Sequence, residues 1–329
     1  MTKSTLRLLV LLVLAPWGCG IAATPFSGAE RYAAYVVAGK DEAQHELHDR
    51  AASLWNDIQP QLTTLSNREQ ARWWLARADL LQFEHRFDES LAAIETVLKL
   101  GYEQENAYLM QARIALTRNE LAVAERSCQA LSQYSPMDVV ATCLLEVKGR
   151  AGDLTMSYPA LVRLEERNQD PSSALTRWRR QILAEQAQLL GLYNDALRWL
   201  DYPNYAEQPV VAQKQMIDVL IATNRLADVF AVVGECPAVN AIPVDSLLVR
   251  IAHAETLQGA QSCWRDVTAE RIEMRVLRAD KLHTSDLAYF FTHVEPDADQ
   301  AMHWAELNIA VAREPFDRQL LAAAEELQP

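Results

Sequence analysis

Apolar and polar positions between Ala71 and Asp138 form one pattern written twice, with an offset of 34 residues. On that offset Trp74 falls on Tyr108, Ala78 on Ala112, Leu81 on Ala115 and Phe87 on Leu121. Ser90 falls on Ala124, Ile94 on Cys128, Val97 on Leu131 and Tyr102 on Pro136. A fixed period of this size marks a repeat architecture. Ser66-Asn67-Arg68-Glu69 reads as a capping box that opens a helix. The helix is expected to reach about Glu84, with His85-Arg86 as the turn and Phe87 to Leu100 as the antiparallel return, ended by Gly101. Ala78 and Ser90 are small where the two helices approach, and Trp74, Leu81, Ile94 and Val97 are large where they interlock. The predicted fold class is all-α: an α-solenoid of antiparallel helix pairs, each burying the apolar flank of the next.

The pattern degrades downstream. Leu154 follows Leu121 by 33 residues, so a third unit is one residue short, and Pro159 is expected to break its second helix. Gly191 to Leu197 gives a fourth turn and return, cut short by Tyr202-Pro203. Asn224 begins a fifth, 33 residues after Gly191. The repeats therefore occupy 67–235. Residues 236–329 read as degenerate helical repeats without a clean period, punctuated by Pro296 and Pro315, with Gln319 to Leu327 as the capping helix. Residues 24–66 form a helical lead-in, in which Leu47, Ala51, Leu54 and Ile58 make one apolar stripe.

Residues 1–23 carry an export signal pattern. Lys3 and Arg7 precede the apolar run Leu8 to Ala15, and Ile21-Ala22-Ala23 offers a cleavage site after Ala23. The alternatives are a lipid anchor on Cys19 and an uncleaved anchor. No stretch is apolar for long enough to span a bilayer. The expected location is therefore periplasmic or secreted, where cysteines pair. Cys128 and Cys143 lie equally far from the turn at Ser135-Pro136, which puts them level on facing helices and makes them a candidate disulfide. Cys236 and Cys263 are the other possible pair. A whole helix separates them, so pairing depends on the loop from Cys236 to Pro243 closing the gap. Net charge is −13 overall, and −15 without Lys3 and Arg7. That balance disfavours nucleic acid as a partner.

Trp74, Ala78, Phe87-Asp88-Glu89-Ser90 and Val97, followed by Tyr108, Ala112, Ala124 and Pro136, resemble tetratricopeptide repeats. Arg271 to Tyr289, with Trp304, Asn308 and Arg313-Glu314-Pro315-Phe316-Asp317, resembles the C-terminal part of secreted tetratricopeptide-repeat proteins of proteobacteria, a likeness that implies no activity. The family resemblance implies a right-handed superhelix whose first helices line a concave groove. On that geometry Arg72, Asp79 and Phe83 face inward from the first unit, and Arg113 from the second. Glu146 and Arg150 follow from the third, Trp178 and Glu185 from the fourth, Lys214 and Asp218 from the fifth. Alternating charges with a few aromatics suit an extended peptide. Members that grip a C-terminal carboxylate use Lys and Asn where this chain has Leu75, Asp79, Leu109 and Arg113, so that activity is not expected. The alternative is a solvated face with no dedicated ligand.

Catalytic patterns are missing from the sequence: no Gly-rich loop after a strand, no Gly-x-Ser-x-Gly and no His-Glu-x-x-His. His45 and His48 share a helix face near Glu42, Glu46 and Asp49, but a polar face explains them better than a metal site. The expectation is a non-catalytic scaffold or adaptor, without cofactor or metal, that binds a protein or peptide. The competing expectation is a small-ligand or metal-binding accessory of an envelope enzyme or transporter.

Overall fold

A computed structural model of the chain describes residues 28–39, 46–167, 170, 172–234, 236, 243–259 and 262–328. The signal-like segment, His45 and Glu42 lie outside them. Among the described residues there is no strand, and the helices are α1 (Gly28–Gly39), α2 (Glu46–Ile58), α3 (Asn67–Phe83), α4 (Phe87–Leu100), α5 (Gln104–Thr117), α6 (Leu121–Ala130), α7 (Met137–Arg150), α8 (Leu154–Glu166), α9 (Ala174–Leu189), α10 (Tyr193–Trp199), α11 (Val210–Ala222), α12 (Leu226–Val233), α13 (Asp245–Gln258), α14 (Trp264–Leu277), α15 (Thr284–His293), α16 (Ala298–Val311) and α17 (Pro315–Glu326). The fold is all-α. Each helix packs chiefly on the helices one and two places away along the chain.

The turns explain the recurring pairs. Two places before the second helix of a pair stands a left-handed residue: His85, Asn119, Gly152, Gly191 and Asn224. The following residue donates its N–H back to the first helix. Arg86 reaches Leu81 O at 2.9 Å, Glu120 reaches Ala115 O at 2.7 Å, and Asp153 reaches Lys148 O at 3.0 Å. Leu192 to Ala187 O and Arg225 to Leu220 O repeat it, both at 2.8 Å. This closure satisfies carbonyls that a helix end would otherwise leave bare. Glycine and asparagine enter the left-handed region readily, and His85 does so at a conformational cost.

Packing on several sides shapes the sequence pattern. α3 buries Ala71, Trp73, Ala76, Ala78, Leu80 and Leu81, which point in several directions because α1, α4 and α5 all contact it. α4 buries Phe87, Ser90, Ala93, Ile94 and Val97 on one side, the single stripe of a helix with an open outer face. Ser90 Oγ donates to Ala78 O at 2.8 Å between the two helices of that pair. The apolar core is a chain of adjoining clusters rather than one centre. One cluster joins Val229 to Leu247, Leu248 and Trp264, so the core runs without a break past residue 235.

Two features depart from the expected pattern, and one pairing that the sequence left open is formed. α8 continues through Pro159 instead of breaking there. Proline removes one intrahelical bond, but Ser157, Leu161 and Glu165 lie buried on one stripe and hold the helix. α1 belongs to the lead-in as an additional helix, burying Tyr32 and Val36 against Trp55 and Trp73. Cys236 and Cys263 are paired, with Cα atoms 6.1 Å apart. α13 is 14 residues long, about 21 Å, and nine residue steps, the separation of Cys236 from Asp245, can span about 30 Å, more than that length. Cys128 and Cys143 pair as their register predicts, with Cα atoms 5.5 Å apart. Two disulfides fit an oxidising, extracytoplasmic environment. Among the described residues no helix is long and apolar enough to cross a membrane.

Candidate functional site

The odd-numbered helices from α3 to α11 present the residues singled out for the inward face, and the structure sorts most of those residues into three groups. Glu146 and Arg150 are one turn apart on α7, and Trp178 and Glu185 two turns apart on α9, so each pair shares a helix face. Arg150 Nε meets Glu185 Oε1 at 2.6 Å, and Arg150 Nη2 meets Glu314 Oε1 at 2.9 Å. Trp178 Nε1 donates to Glu146 Oε2 at 3.2 Å. Arg113 on α5 is exposed and acts on Glu146 through its charge. Three carboxylates thus crowd two guanidinium groups. Burial pushes the Glu185 carboxyl up to about 7, with Arg150 opposing the rise and Glu314 and Glu146 adding to it. Burial raises Glu146 as well.

The second group lies on α11, α13, α15 and α17. Arg250 is 1% exposed, the side chain least expected in a core. Its Nε donates to Asp218 Oδ1 at 2.7 Å and its Nη1 to Ser246 O at 2.8 Å. Its guanidinium carbon lies 4.6 Å from the centre of the Tyr289 ring and 5.0 Å from that of Phe316. Lys214 Nζ stands 5.8 Å from the same Phe316 ring. Out of water, such cation–aromatic contacts are worth about 2 kcal/mol. Next to them His253 Nδ1 is 2.8 Å from the Tyr289 hydroxyl, and its ring stacks on His293 at 4.8 Å. Burial lowers both histidines to about 4, with Arg250 opposing their protonation further.

The third group is a file of rings. Phe83 sits edge-on between His48 at 5.2 Å and His283 at 5.1 Å, and His85 is 5.0 Å from His283. Burial first, then His85, Arg275 and Lys214, depress His283 to about 3. Burial also lowers His85. Arg72 joins none of these groups. Arg72 stands 3.9 Å from Glu30 and 3.8 Å from Glu103, and Asp79 is half-buried among the charges around the Tyr32 hydroxyl.

Each group has a member from the last quarter of the chain: Glu314, Phe316 or His283. The backbone joins in, since Arg313 N–H donates to Thr117 O at the end of α5, at 2.7 Å. His283, Arg313, Glu314 and Phe316 of the same molecule therefore touch α3 and the turn after it, α5, α7, α11 and α13. Sequence reasoning placed Glu314 and Phe316 only within a resemblance and gave them no partner. One signal was available: Arg250 stands inside the apolar run Leu247 to Ala252, and a charge there demands a buried acceptor.

The crevice among Glu146, Gly149, Arg150, Ile182, Glu185 and Gln186 has no interior room for even a water molecule. Among the described residues no group of three or more His, Cys, Asp or Glu is placed to hold a metal ion. His48 Nε2 instead lies 3.3 Å from Val36 O. Comparison with protein-family models and with curated proteins finds no match to the chain.

Proposed function

We propose that this protein is an exported, non-catalytic helical-repeat scaffold of tetratricopeptide type that binds a protein or peptide along the face its odd-numbered helices share. Export follows from the signal pattern with cleavage after Ala23, and the two disulfides support it. The helix pairs build a superhelical solenoid, an assignment supported by packing chiefly between helices one and two places apart and by the repeated turn geometry. The observation that carries the binding role is the side-chain set of Arg113, Glu146, Arg150, Trp178 and Glu185 on three successive inner helices. Both signs of charge and an indole there offer partners to the polar groups and rings of an extended chain. Recognition uses a surface already rigid, with little refolding of the scaffold.

Photo-crosslinking in the native envelope, followed by identification of the linked partner, tests this reading. A partner should be captured from positions on α5, α7 and α11. Arg113→Glu with Lys214→Glu should abolish that capture. If both reversals leave every partner bound, the shared face is not the binding surface.

A further inference from the structure

Residues 313–316 of the chain touch the end of α5, then α7, then α11 and α13. Ala312 and Glu314 have extended backbones (φ −120°, ψ 131° and φ −67°, ψ 166°), and this stretch crosses the inner helices instead of running along one of them. At α5, the Arg313 N–H donates to Thr117 O, one of the last carbonyls of a helix and so without an intrahelical donor. At α7, the Glu314 carboxylate accepts from Arg150 Nη2 at 2.9 Å. Between α11 and α13, the Phe316 ring lies under Lys214 and Arg250. A backbone bond, a charge-assisted bond and a ring under two cations are the elements by which a groove recognises an extended segment.

The fit is incomplete at one atom. Arg150 Nη1 is buried and has no hydrogen-bond acceptor. Glu185 already grips the guanidinium with two parallel bonds, Nε to Oε1 at 2.6 Å and Nη2 to Oε2 at 2.8 Å, and Glu314 Oε1 shares Nη2 at 2.9 Å, which leaves Nη1 as the open donor. A segment with a freely placed carboxylate would satisfy the remaining donor.

We propose that residues 312–317 are an intramolecular substitute ligand that keeps the face closed, and that the face takes a peptide presenting a glutamate at the end of an extended stretch and, two positions later in a helical turn, an aromatic ring. This inference rests on the binding role proposed above and adds both the chemistry of the partner and the contact it must displace. The closed state also sets the apparent affinity: if the face is free in only a tenth of molecules, a competing peptide binds about tenfold more weakly than its intrinsic affinity.

The test is fluorescence anisotropy with a labelled synthetic peptide covering residues 311–320 of this sequence, titrated with the full chain. Glu314→Gln, which keeps side-chain volume, and Phe316→Ala should each bind the peptide at least about tenfold more tightly than the unaltered protein. Adding Arg150→Met to either should remove the gain, and a peptide with Gln for the glutamate and Ala for the phenylalanine should not bind. Hydrogen exchange on the unaltered protein gives a reading that needs no variant: saturating peptide should speed exchange at residues 312–317 and slow it at the end of α5. Equal affinity for variants and unaltered protein overturns the closed face. Absence of binding by all of them also overturns it. Either failure leaves envelope crosslinking as the separate judge of the broader binding role.

Discussion

Replacing Arg150 by methionine should destabilise the protein in a way that depends on pH. Methionine keeps much of the side-chain volume and removes the charge, so the effect is electrostatic more than steric. Glu146, Glu185 and Glu314 then face one another with only the exposed Arg113 nearby. Removing one partner of a fully buried ion pair costs about 3–5 kcal/mol. Here the side chains of Glu185 and Glu314 are 29% and 40% exposed, so solvent screens both. The expected loss at pH 8 is accordingly on the order of 2 kcal/mol. Glu185 has a folded pKa raised to about 7, so its favourable contribution is complete below its unfolded value and is lost as pH rises through 7. Without Arg150 that pKa climbs further, and protonation relieves the repulsion, leaving a loss under about 1 kcal/mol at pH 5.5. Urea unfolding followed by circular dichroism at the two pH values measures both numbers. A cycle with Glu314→Gln at pH 8 should give a coupling above about 0.5 kcal/mol. Equal losses at both pH values, or strict additivity in the cycle, would refute the reasoning.

Three further outcomes are expected. His253, His283 and His293 have folded pKa values depressed to about 4, 3 and 4. The stability they allow is present above the unfolded value near 6.5 and is lost as pH falls toward 4, while Glu185 acts in the opposite sense. Melting temperature should therefore peak at about pH 6.5–7 and fall steadily below it; a flat profile from pH 7 to 5 would contradict this. The four cysteines of the two disulfides should resist alkylation until reduced. Replacing Cys128 and Cys143 by alanine should cost about 3 kcal/mol, the value for a closed loop of 15 residues. Gly149→Ala would drive a Cβ into Gln186 Nε2, part of an amide held by Leu145 O at 3.1 Å and by the Ser157 hydroxyl at 2.9 Å. A loss of about 1–3 kcal/mol should appear in thermal unfolding, and Gln186→Ala in the same chain should remove most of the clash. An unchanged midpoint for Gly149→Ala alone would show that the two helices are not so close.

The repeats were legible because local rules wrote them. The Ser66 N-cap, the left-handed Gly101 and the turn glycines and asparagines act over a few residues, and the structure places each where the pattern puts it; of the expected capping box only the Ser66 half forms, with Glu69 bonded to the Ser66 hydroxyl instead of its backbone. Pro159 misled because the argument weighed one lost bond and not the buried stripe that outweighs it. α1 has only a short apolar stripe around Tyr32 and Val36, too little to stand out before its neighbours are known. The inward residues were found from helix spacing, but their partners were not, because Arg150 and Glu314 are separated by 164 residues. No periodicity along a helix encodes such a closure. Only the unbalanced charge of Arg250 in an apolar run pointed toward it.

The central claim is that the C-terminal segment lies across the face shared by the inner helices. Benzoylphenylalanine placed at Phe316, irradiated in the folded protein and mapped by mass spectrometry, tests it most directly. The account predicts links to α11, α13 and α15 around Lys214, Arg250 and Tyr289. Links confined to α16 and α17, with none reaching the inner helices, would contradict it.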